Sequence, residues 1–324
     1  MQARAFLHTL GCRLNHAETE ILAQSLQDAG YELVDNVEDA DLCIVNTCTV
    51  TREADAKSRK AVRAFIRRNP RAYLVVTGCH VHVRPDVMTA IPGVDLVVGN
   101  ANKLEVASWL PGTLEKGTDG PRALVTPITP KPFTIPPRLS MPPVCRPQIK
   151  IQDGCDASCA FCIVPRARGE SRGRPLDDIV EEARHLAAHG AIEVVVTGLN
   201  VGAYACWGKR LVDVLDGIDA CEGIRRIRVG SLELGGIDDE LIARMVDRGH
   251  ALVPFLHIPL QSGSDTVLAR MGRTYGVDEF RVWIDRIAAR VPDVCLGTDV
   301  LVGFPGETDA EFDETCRFLE NSPL

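Results

Sequence analysis

The sequence predicts an α/β protein with two domains, an N-terminal doubly wound parallel sheet and then an incomplete (β/α) barrel. First, short apolar runs alternate with amphipathic segments along the chain, which is the order of strands and helices in parallel-sheet proteins. Second, this alternation stops once, at 111–143, where Pro and Gly crowd the sequence and no hydrophobic period survives. We therefore expect domains at 1–110 and 144–324, joined by a linker at 111–143.

In the first domain, apolar strands alternate with helices that have an apolar stripe. The first helix carries Ile21, Leu22, Leu26 and Ala29 on one side, and Gly30 ends it. The predicted strands are 3–11, 40–48, 72–79 and 95–100, and the predicted helices are 15–30, 53–69 and 102–110.

The second domain shows five strand–helix units, fewer than the eight of a closed (β/α) barrel. The predicted strands are 147–154, 192–198, 224–230, 252–260 and 294–303, and the predicted helices are 176–190, 209–219, 238–249, 277–291 and 309–321. Polar or Gly-rich motifs occur at strand ends, at 197–200, 230–233, 261–264 and 303–307. Because the C-terminal mouth of such barrels carries the site, we expect these motifs to surround it.

The composition indicates an ordinary soluble protein, with 45% hydrophobic and 25% charged residues among 324. The N-terminus lacks the pattern of a signal peptide, and no apolar run reaches the length of a membrane span. Twelve cysteines without a secretory signal favour metal ligation in a reducing cytoplasm over a disulfide framework. A net charge of −8 argues against a globally basic nucleic-acid-binding protein.

Cys155, Cys159 and Cys162 have the spacing C-x-x-x-C-x-x-C, so three thiols can converge on one soft metal centre. A tetrahedral zinc site needs a fourth ligand, usually from a second Cys/His pair, and no such pair follows. A four-iron, four-sulfur cluster held by three thiolates keeps one iron open for a small ligand. Zinc and purely structural cysteines remain alternatives. With Phe161 just before the last cysteine, the motif resembles the radical S-adenosylmethionine (SAM) signature.

Cys12, Cys48 and Cys79 each fall just past the C-terminal end of a predicted strand. Because these ends form the ligand crevice of open parallel sheets, we expect the three thiols to meet there and form a second metal centre. Buried structural cysteines are the alternative. Cys43 lies inside the second strand and is interpreted as a small core residue.

The two cysteine sets on two α/β domains together resemble the methylthiotransferase family of radical SAM enzymes. The resemblance covers nearly the whole chain outside the linker. It is carried by TLGCRLNHAETE, NTCTVTREADAKSR, VTGC, QDGCDASCAFCIVPRARGESRGR, LQSGSD and GFPGETDAEF.

This resemblance implies SAM and two four-iron, four-sulfur clusters as cofactors. The implied ligands are Cys155, Cys159 and Cys162 for the SAM-binding cluster, and Cys12, Cys48 and Cys79 for an auxiliary cluster that handles sulfur. It also implies that SAM is cleaved to a 5′-deoxyadenosyl radical, which removes hydrogen from an unactivated C–H bond before sulfur is delivered. Glu233 and Gln261 are the implied SAM-site residues, with Phe161 near the adenine.

The segments TLGCRLNHAETE and NTCTVTREADAKSR most resemble the branch that methylthiolates carbon 2 of N6-threonylcarbamoyladenosine beside the tRNA anticodon. The implied partners are a tRNA anticodon stem-loop and a reductant such as flavodoxin or ferredoxin. Isopentenyladenosine in tRNA and a ribosomal-protein aspartate are the alternative substrates, since those branches share the cysteine framework.

The sequence also departs from the family pattern. Gly230 and Leu234 stand where members commonly carry Ser and Pro, and the final barrel strand and the RNA-binding TRAM domain are missing from these 324 residues. A truncated, non-catalytic iron–sulfur protein therefore remains a further hypothesis. For RNA contacts we expect two basic groups: Lys57, Arg59, Lys60, Arg63, Arg67 and Arg68, and Arg166, Arg168, Arg172 and Arg174.

Overall fold

The computed structural model of the protein describes residues 2–117, 120–135 and 146–324. These residues form two compact units. The first unit comprises Met1–Pro143 with Ile163–Glu170, and the second comprises Val144–Cys162 with Ser171–Leu324. The segment Ile163–Glu170 thus packs with the first unit, although the sequence division placed it in the second domain. The domain limits drawn from the sequence stay predictions.

The first unit is built on a sheet in which all neighbouring strands are parallel, with six strands among the described residues. The strands are β1 (Arg4–Thr9), β2 (Glu32–Leu33), β3 (Leu42–Thr47), β4 (Tyr73–Gly78), β5 (Leu96–Val98) and β6 (Arg122–Leu124). The helices are α1 (Arg13–Asp28), α2 (Arg52–Arg68), α3 (Cys79–Val83), α4 (Pro85–Thr89), α5 (Val106–Trp109) and α6 (Val164–Arg168).

Both faces of this sheet are covered by helices. Leu22 of α1 packs on one face in a cluster that includes Ile44. Phe65 of α2 packs on the other face in a cluster that includes Val45. Because both faces are buried, β3 and β4 read as continuous apolar runs rather than as alternating ones. The predicted doubly wound sheet is confirmed.

The order of the sheet is β2-β1-β3-β4-β5-β6, so the strand order reverses between β1 and β3. In open parallel sheets, ligands bind beyond the C-terminal ends of the strands at such a switch point. Cys12 follows β1, and Cys48 follows β3. The topology therefore places two of the predicted ligands at the crevice.

Several elements of the first unit differ from the expectation. The edge strands β2 and β6 were not predicted, and β6 lies inside the stretch 111–143. The predicted helix 102–110 is a 3-10 turn, Lys103–Glu105, followed by the single turn α5. The short helices α3 and α4 were also missed.

The second unit carries five parallel strands in sequence order. β7, β10 and β13 form one sheet, an isolated parallel bridge joins Ile227 to Leu252, and β14 pairs with β15. The strands are β7 (Gln148–Lys150), β8 (Gln152–Asp153), β9 (Arg172–Gly173), β10 (Glu193–Thr197), β11 (Ala205–Cys206), β12 (Lys209–Arg210), β13 (Arg226–Val229), β14 (Phe255–His257) and β15 (Cys295–Gly297).

The helices of the second unit follow these strands in the (β/α) pattern. They are α7 (Leu176–Ala188), α8 (Leu211–Asp219), α9 (Asp239–Val246), α10 (Asp265–Arg270), α11 (Val277–Arg290) and α12 (Asp309–Glu320). The predicted incomplete barrel of five strand–helix units is confirmed, while the antiparallel pairs β8–β9 and β11–β12 and the helix α10 are additions. Among the described residues, no helix combines the length and apolarity needed to cross a membrane.

Candidate functional sites

The first candidate site lies at the C-terminal edge of the sheet in the first unit. Cys12 is exposed at the N-cap of α1, whereas Cys48, after β3, and Cys79, at the start of α3, are buried. Burial is the largest cause that raises the pKa of Cys48, and the charges of Cys79 and Cys12 raise it further. Both thiols therefore act electrostatically on Cys48, and the binding of one metal centre by all three cysteines stays a prediction.

Two glycines allow the loops around these cysteines to approach closely. Gly11 has a φ of +104°, and a Cβ there would lie 2.7 Å from the Sγ of Cys48. Gly78 has a φ of +102°, and a Cβ there would lie 2.4 Å from the carbonyl oxygen of Thr47. Residues other than glycine rarely adopt this backbone region. Glycine is thus required at both positions for the cysteines to sit where they do.

Arg168, at the end of α6, contacts the same site with a buried side chain. Its side chain is 1% exposed, and its Nε donates to the Sγ of Cys79 at 3.2 Å. Its guanidinium also pairs with Glu18 at 2.5 Å and donates to the Oδ1 of Asn15 at 2.6 Å. The expectation that Arg168 contacts RNA is wrong, because its donors are directed to buried partners.

A second buried cation completes this network. The Nζ of Lys103 lies 2.5 Å from Glu18 and donates to the Oδ1 of Asn46 at 3.3 Å. Burial lowers the pKa of Lys103, the charge of Arg168 lowers it further, and the charges of Glu18 and Cys79 raise it. None of Asn15, Glu18 or Lys103 was singled out from the sequence.

Cys43 differs from the three clustered cysteines. It lies within β3, in the same core cluster as Val45 and Phe65. Burial raises the pKa of its thiol to about 12. Its interpretation as a core residue is confirmed.

The second candidate site is the loop that holds Cys155, Cys159 and Cys162 in the second unit. The N–H of Cys162 donates to the carbonyl of Cys159 at 3.0 Å, and the N–H of Ala160 donates to the carbonyl of Met271 at 2.9 Å. Burial is the largest cause that raises the pKa of Cys155, and the charge of Cys159 raises it too. The described cysteines form no disulfide.

Arg273 connects this loop to the strand ends of the barrel. Its Nη1 donates to the Sγ of Cys159 at 3.2 Å, and its Nη2 pairs with Glu233. The hydroxyl of Tyr275 accepts from Arg273 at 2.8 Å and donates to the carbonyl of Pro259 at 2.7 Å. Glu233 is therefore held in place by a buried arginine that also contacts a predicted cluster ligand.

A cavity of about 290 Å³ opens beside Cys159, lined also by Glu233, Arg273 and Asn200. The Oδ1 of Asn200 is buried and has no hydrogen-bond partner among the described residues. A buried acceptor without a partner is costly, so this atom marks a place where a ligand donor fits. The cavity offers a carboxylate, a guanidinium and this acceptor.

The other predicted SAM-site residues occupy different surroundings. Phe161 is 37% exposed on the cysteine loop. Gln261 has a φ of +74° and pairs with Val300, and it does not line the 290 Å³ cavity. Within the same motif, a Cβ at Gly263 would lie 2.7 Å from the Cα of Thr315. The glycine of the motif 261–264 therefore serves the packing of α12.

The second basic group predicted for RNA contact is divided by the structure. Arg174 is 1% exposed and pairs with Asp178 and Glu182, so its expected RNA contact is wrong for the same reason as that of Arg168. Arg172 pairs with Asp153. Arg166 is exposed and lines a cleft of about 270 Å³ in the first unit, together with Arg52 and Arg84.

Comparison with known proteins identifies the family. Residues 4–99 match the model described as "Uncharacterized protein family UPF0004", and residues 149–319 match the "Radical SAM superfamily". The chain is 38% identical to the threonylcarbamoyladenosine tRNA methylthiotransferase MtaB of Bacillus subtilis over 98% of its own length and 71% of that relative. The chain belongs to the radical SAM tRNA methylthiotransferase family. The resemblance stated from the motifs is confirmed, and the protein is a transferase.

A second relative carries another name. This methylthiotransferase is 36% identical to the tRNA-2-methylthio-N(6)-dimethylallyladenosine synthase of Clavibacter michiganensis, over 97% of the chain and 60% of that relative. Its fold is that of the radical SAM methyltransferase TsrM of Kitasatospora setae, with a TM-score of 0.68 at 15% identity, covering 98% of this chain and 71% of that one.

The cofactors of the methylthiotransferase are SAM and two four-iron, four-sulfur clusters. Its described residues contain no group of three or more His, Cys, Asp or Glu side chains placed around a single metal ion. A four-iron cluster sets a different requirement, because each thiolate binds its own iron on a larger centre. In each three-cysteine set an arginine donates to one Sγ, and a cation beside a thiol favours the thiolate that such a cluster binds.

Proposed function

We propose that this methylthiotransferase inserts a methylthio group at carbon 2 of N6-threonylcarbamoyladenosine beside the anticodon of tRNA. The observation that carries the proposal is the 38% identity, over 98% of the chain, to a relative named for that nucleoside. The opening segment 9–20 and the segment 46–59, which carry Cys12 and Cys48, support the same branch.

We propose further that Cys155, Cys159 and Cys162 hold one cluster and that Cys12, Cys48 and Cys79 hold the other. When bound, these groups together with SAM supply reductive cleavage of SAM and the sulfur atom for transfer. What the protein supplies is position and shielding. In the second unit, Arg273 fixes Cys159 and Glu233 relative to each other through direct contacts with both.

For SAM binding, the proposal assigns Glu233 and the 290 Å³ cavity as the principal contact region. Glu233 can accept hydrogen bonds from an ammonium or a ribose hydroxyl, and the Oδ1 of Asn200 can accept one more. Phe161 and Gln261 remain proposed contacts on the strength of the motifs that contain them.

For tRNA binding, the proposal assigns the exposed basic side of α2 and the cleft of Arg52, Arg84 and Arg166. Phosphate contacts from arginine and lysine supply most of the sequence-independent affinity for nucleic acid. A reductant such as flavodoxin or ferredoxin is the proposed electron source.

The test is mass analysis of tRNA nucleosides from cells that lack this activity, before and after expression of the chain. Expression of the wild-type chain is expected to yield 2-methylthio-N6-threonylcarbamoyladenosine. Cys48→Ala is expected to yield none, whereas the matched control Cys43→Ala changes a buried cysteine within β3, the strand that precedes Cys48, and is expected to keep the product.

A second candidate substrate is favoured by the 36% identity to the dimethylallyladenosine synthase of Clavibacter michiganensis. The same measurement separates the two nucleosides by mass. Appearance of the methylthiolated dimethylallyl nucleoside alone would replace the first substrate by the second. Absence of both, with iron-loaded protein present in the cells, would contradict the proposed activity.

A further inference from the structure

The contact between Arg168 and Cys79 brings a full positive charge against a proposed cluster ligand. Arg168 and Lys103 are each 1% exposed, and both pair with the single carboxylate of Glu18, which is 2% exposed. The buried Asn15 accepts a hydrogen bond from Arg168, and the buried Asn46 accepts one from Lys103. Among the described residues, this network includes the two cations Arg168 and Lys103 and the carboxylate of Glu18.

Buried charges are stable only when opposite charges and hydrogen bonds offset their desolvation. Glu18 pairs with both cations and offsets part of their charge. The charge of Cys79 acts on Lys103, and its Sγ accepts directly from the Nε of Arg168. Cys79, as a thiolate, is thus a negative partner in direct contact with Arg168.

We propose that Arg168, held in place by Glu18 and Asn15, is a positioning residue that raises the reduction potential of the cluster bound by Cys12, Cys48 and Cys79. The inference rests on the proposed ligation of that cluster. One-electron reduction adds one negative charge to the cluster. A hydrogen bond to a ligand sulfur and a nearby cation both stabilise that added charge, and both are known determinants of iron–sulfur potentials. Glu18 has the opposite effect because its carboxylate repels the added charge.

The experiment is a redox titration of the full chain, followed by electron paramagnetic resonance, in a background with Cys155, Cys159 and Cys162 all changed to Ala. This background leaves one cluster to observe. Arg168→Met is expected to lower the midpoint potential, so that the reduced-to-oxidised ratio at a fixed potential falls at least tenfold, about 59 mV for one electron. Arg168→Lys keeps the charge and is expected to restore most of the shift.

Glu18→Gln is expected to raise the midpoint potential, and the double variant Glu18→Gln with Arg168→Met to fall between the single variants. A purely structural role would not give shifts of opposite sign. The effect of Arg168→Met is measured both with Glu18 present and with Glu18→Gln. If one single variant fails to fold or to hold iron, the double variant can still be compared with the other single variant. Arg174→Met removes an equally buried arginine of the second unit, which pairs with Asp178 and Glu182, and it is expected to leave the potential unchanged.

The inference would be overturned if Arg168→Met had the potential of the triple-cysteine background and the double variant had the potential of Glu18→Gln. Shifts of the same sign for Arg168→Met and Glu18→Gln would overturn it as well. Iron content separates this failure from that of the underlying proposal. A triple-cysteine background that folds but holds no iron would refute the ligation by Cys12, Cys48 and Cys79 itself.

Discussion

Gly11 is the residue at which backbone conformation and the cysteine site depend on each other. Its φ of +104° is open to glycine, and any Cβ would lie 2.6 Å from the Cβ and 2.7 Å from the Sγ of Cys48. Either Cys48 must move or the loop after β1 must change. Gly30 offers a comparison, because its φ is +89° but nothing lies within 4 Å of a Cβ there.

We expect Gly11→Ala to lose the iron held in the first unit, while Gly30→Ala keeps it. Both substitutions place alanine at a positive φ, which costs about 1–2 kcal/mol of stability. The iron content of reconstituted protein is the measurement, with thermal unfolding as a check that both variants fold. Full iron content in folded Gly11→Ala would show that Cys48 can move without loss of the site.

At the same scale, the sequence located the cysteines but not the residues that surround them. Cys12, Cys48 and Cys79 could be predicted to meet because each follows a parallel strand, and parallel strands end at one edge. The buried position of Arg168 could not be predicted, because its partner Glu18 is 150 residues away in sequence. The residues around Arg168 in sequence resemble a solvated basic run. One signal was available: Asn15 and Glu18 continue the buried stripe of α1, where a polar residue needs a buried partner.

At the scale of elements, α2 combines a packed side with a basic one. Val62 and Phe65 are buried against the sheet, and Thr51 caps the helix by accepting from the N–H of Ala54 at 3.0 Å. On its exposed side, Arg68 forms two hydrogen bonds with Glu38. Arg63 is also exposed on this helix and has no acidic partner among the residues that the structure describes.

We expect Arg63→Gln to weaken tRNA binding and to reduce the slope of log affinity against log salt by about one, as for a single phosphate contact. Arg68→Gln serves as the matched control on the same helix, because its charge is already paired with Glu38. Binding isotherms at several salt concentrations give both slopes. Equal slopes for Arg63→Gln and the wild-type chain would remove α2 from the proposed RNA surface.

The elements that sequence reasoning found are those with many residues in one hydrophobic period. The strands β1, β3 and β4 are six residues each, and α1 and α2 span four turns or more. By contrast, β2 has two residues and β6 has three, of which Arg122 and Ala123 are exposed. Such edge strands are held by backbone hydrogen bonds to β1 and β5, and backbone bonds leave no mark in the side-chain pattern.

At the scale of the whole molecule, each unit carries a three-cysteine set and an arginine whose side chain is at most 4% exposed and donates to a cysteine Sγ. In the first unit Arg168 contacts Cys79, and in the second Arg273 contacts Cys159, both at 3.2 Å. The sequence runs from Cys162 directly into Ile163–Glu170, the segment that packs with the first unit. One short stretch thus supplies proposed ligands of one cluster and a contact to the proposed ligand of the other.

Because the two cysteine sets lie in different units, we expect them to bind iron independently of each other and to differ in function. Anaerobic reconstitution of the wild-type chain is expected to give about eight irons, two four-iron clusters. Cys155→Ala is expected to abolish reductive cleavage of SAM, because the site that binds SAM is lost with its cluster. Cys48→Ala is expected to keep formation of 5′-deoxyadenosine and to lose methylthio transfer, because only the sulfur-handling site is removed.

Iron, labile sulfide, 5′-deoxyadenosine and the tRNA product are measured on the same preparations, with Cys43→Ala as the control. Loss of SAM cleavage in folded Cys48→Ala would contradict the division, and stoichiometric zinc without sulfide in the wild-type chain would contradict both clusters.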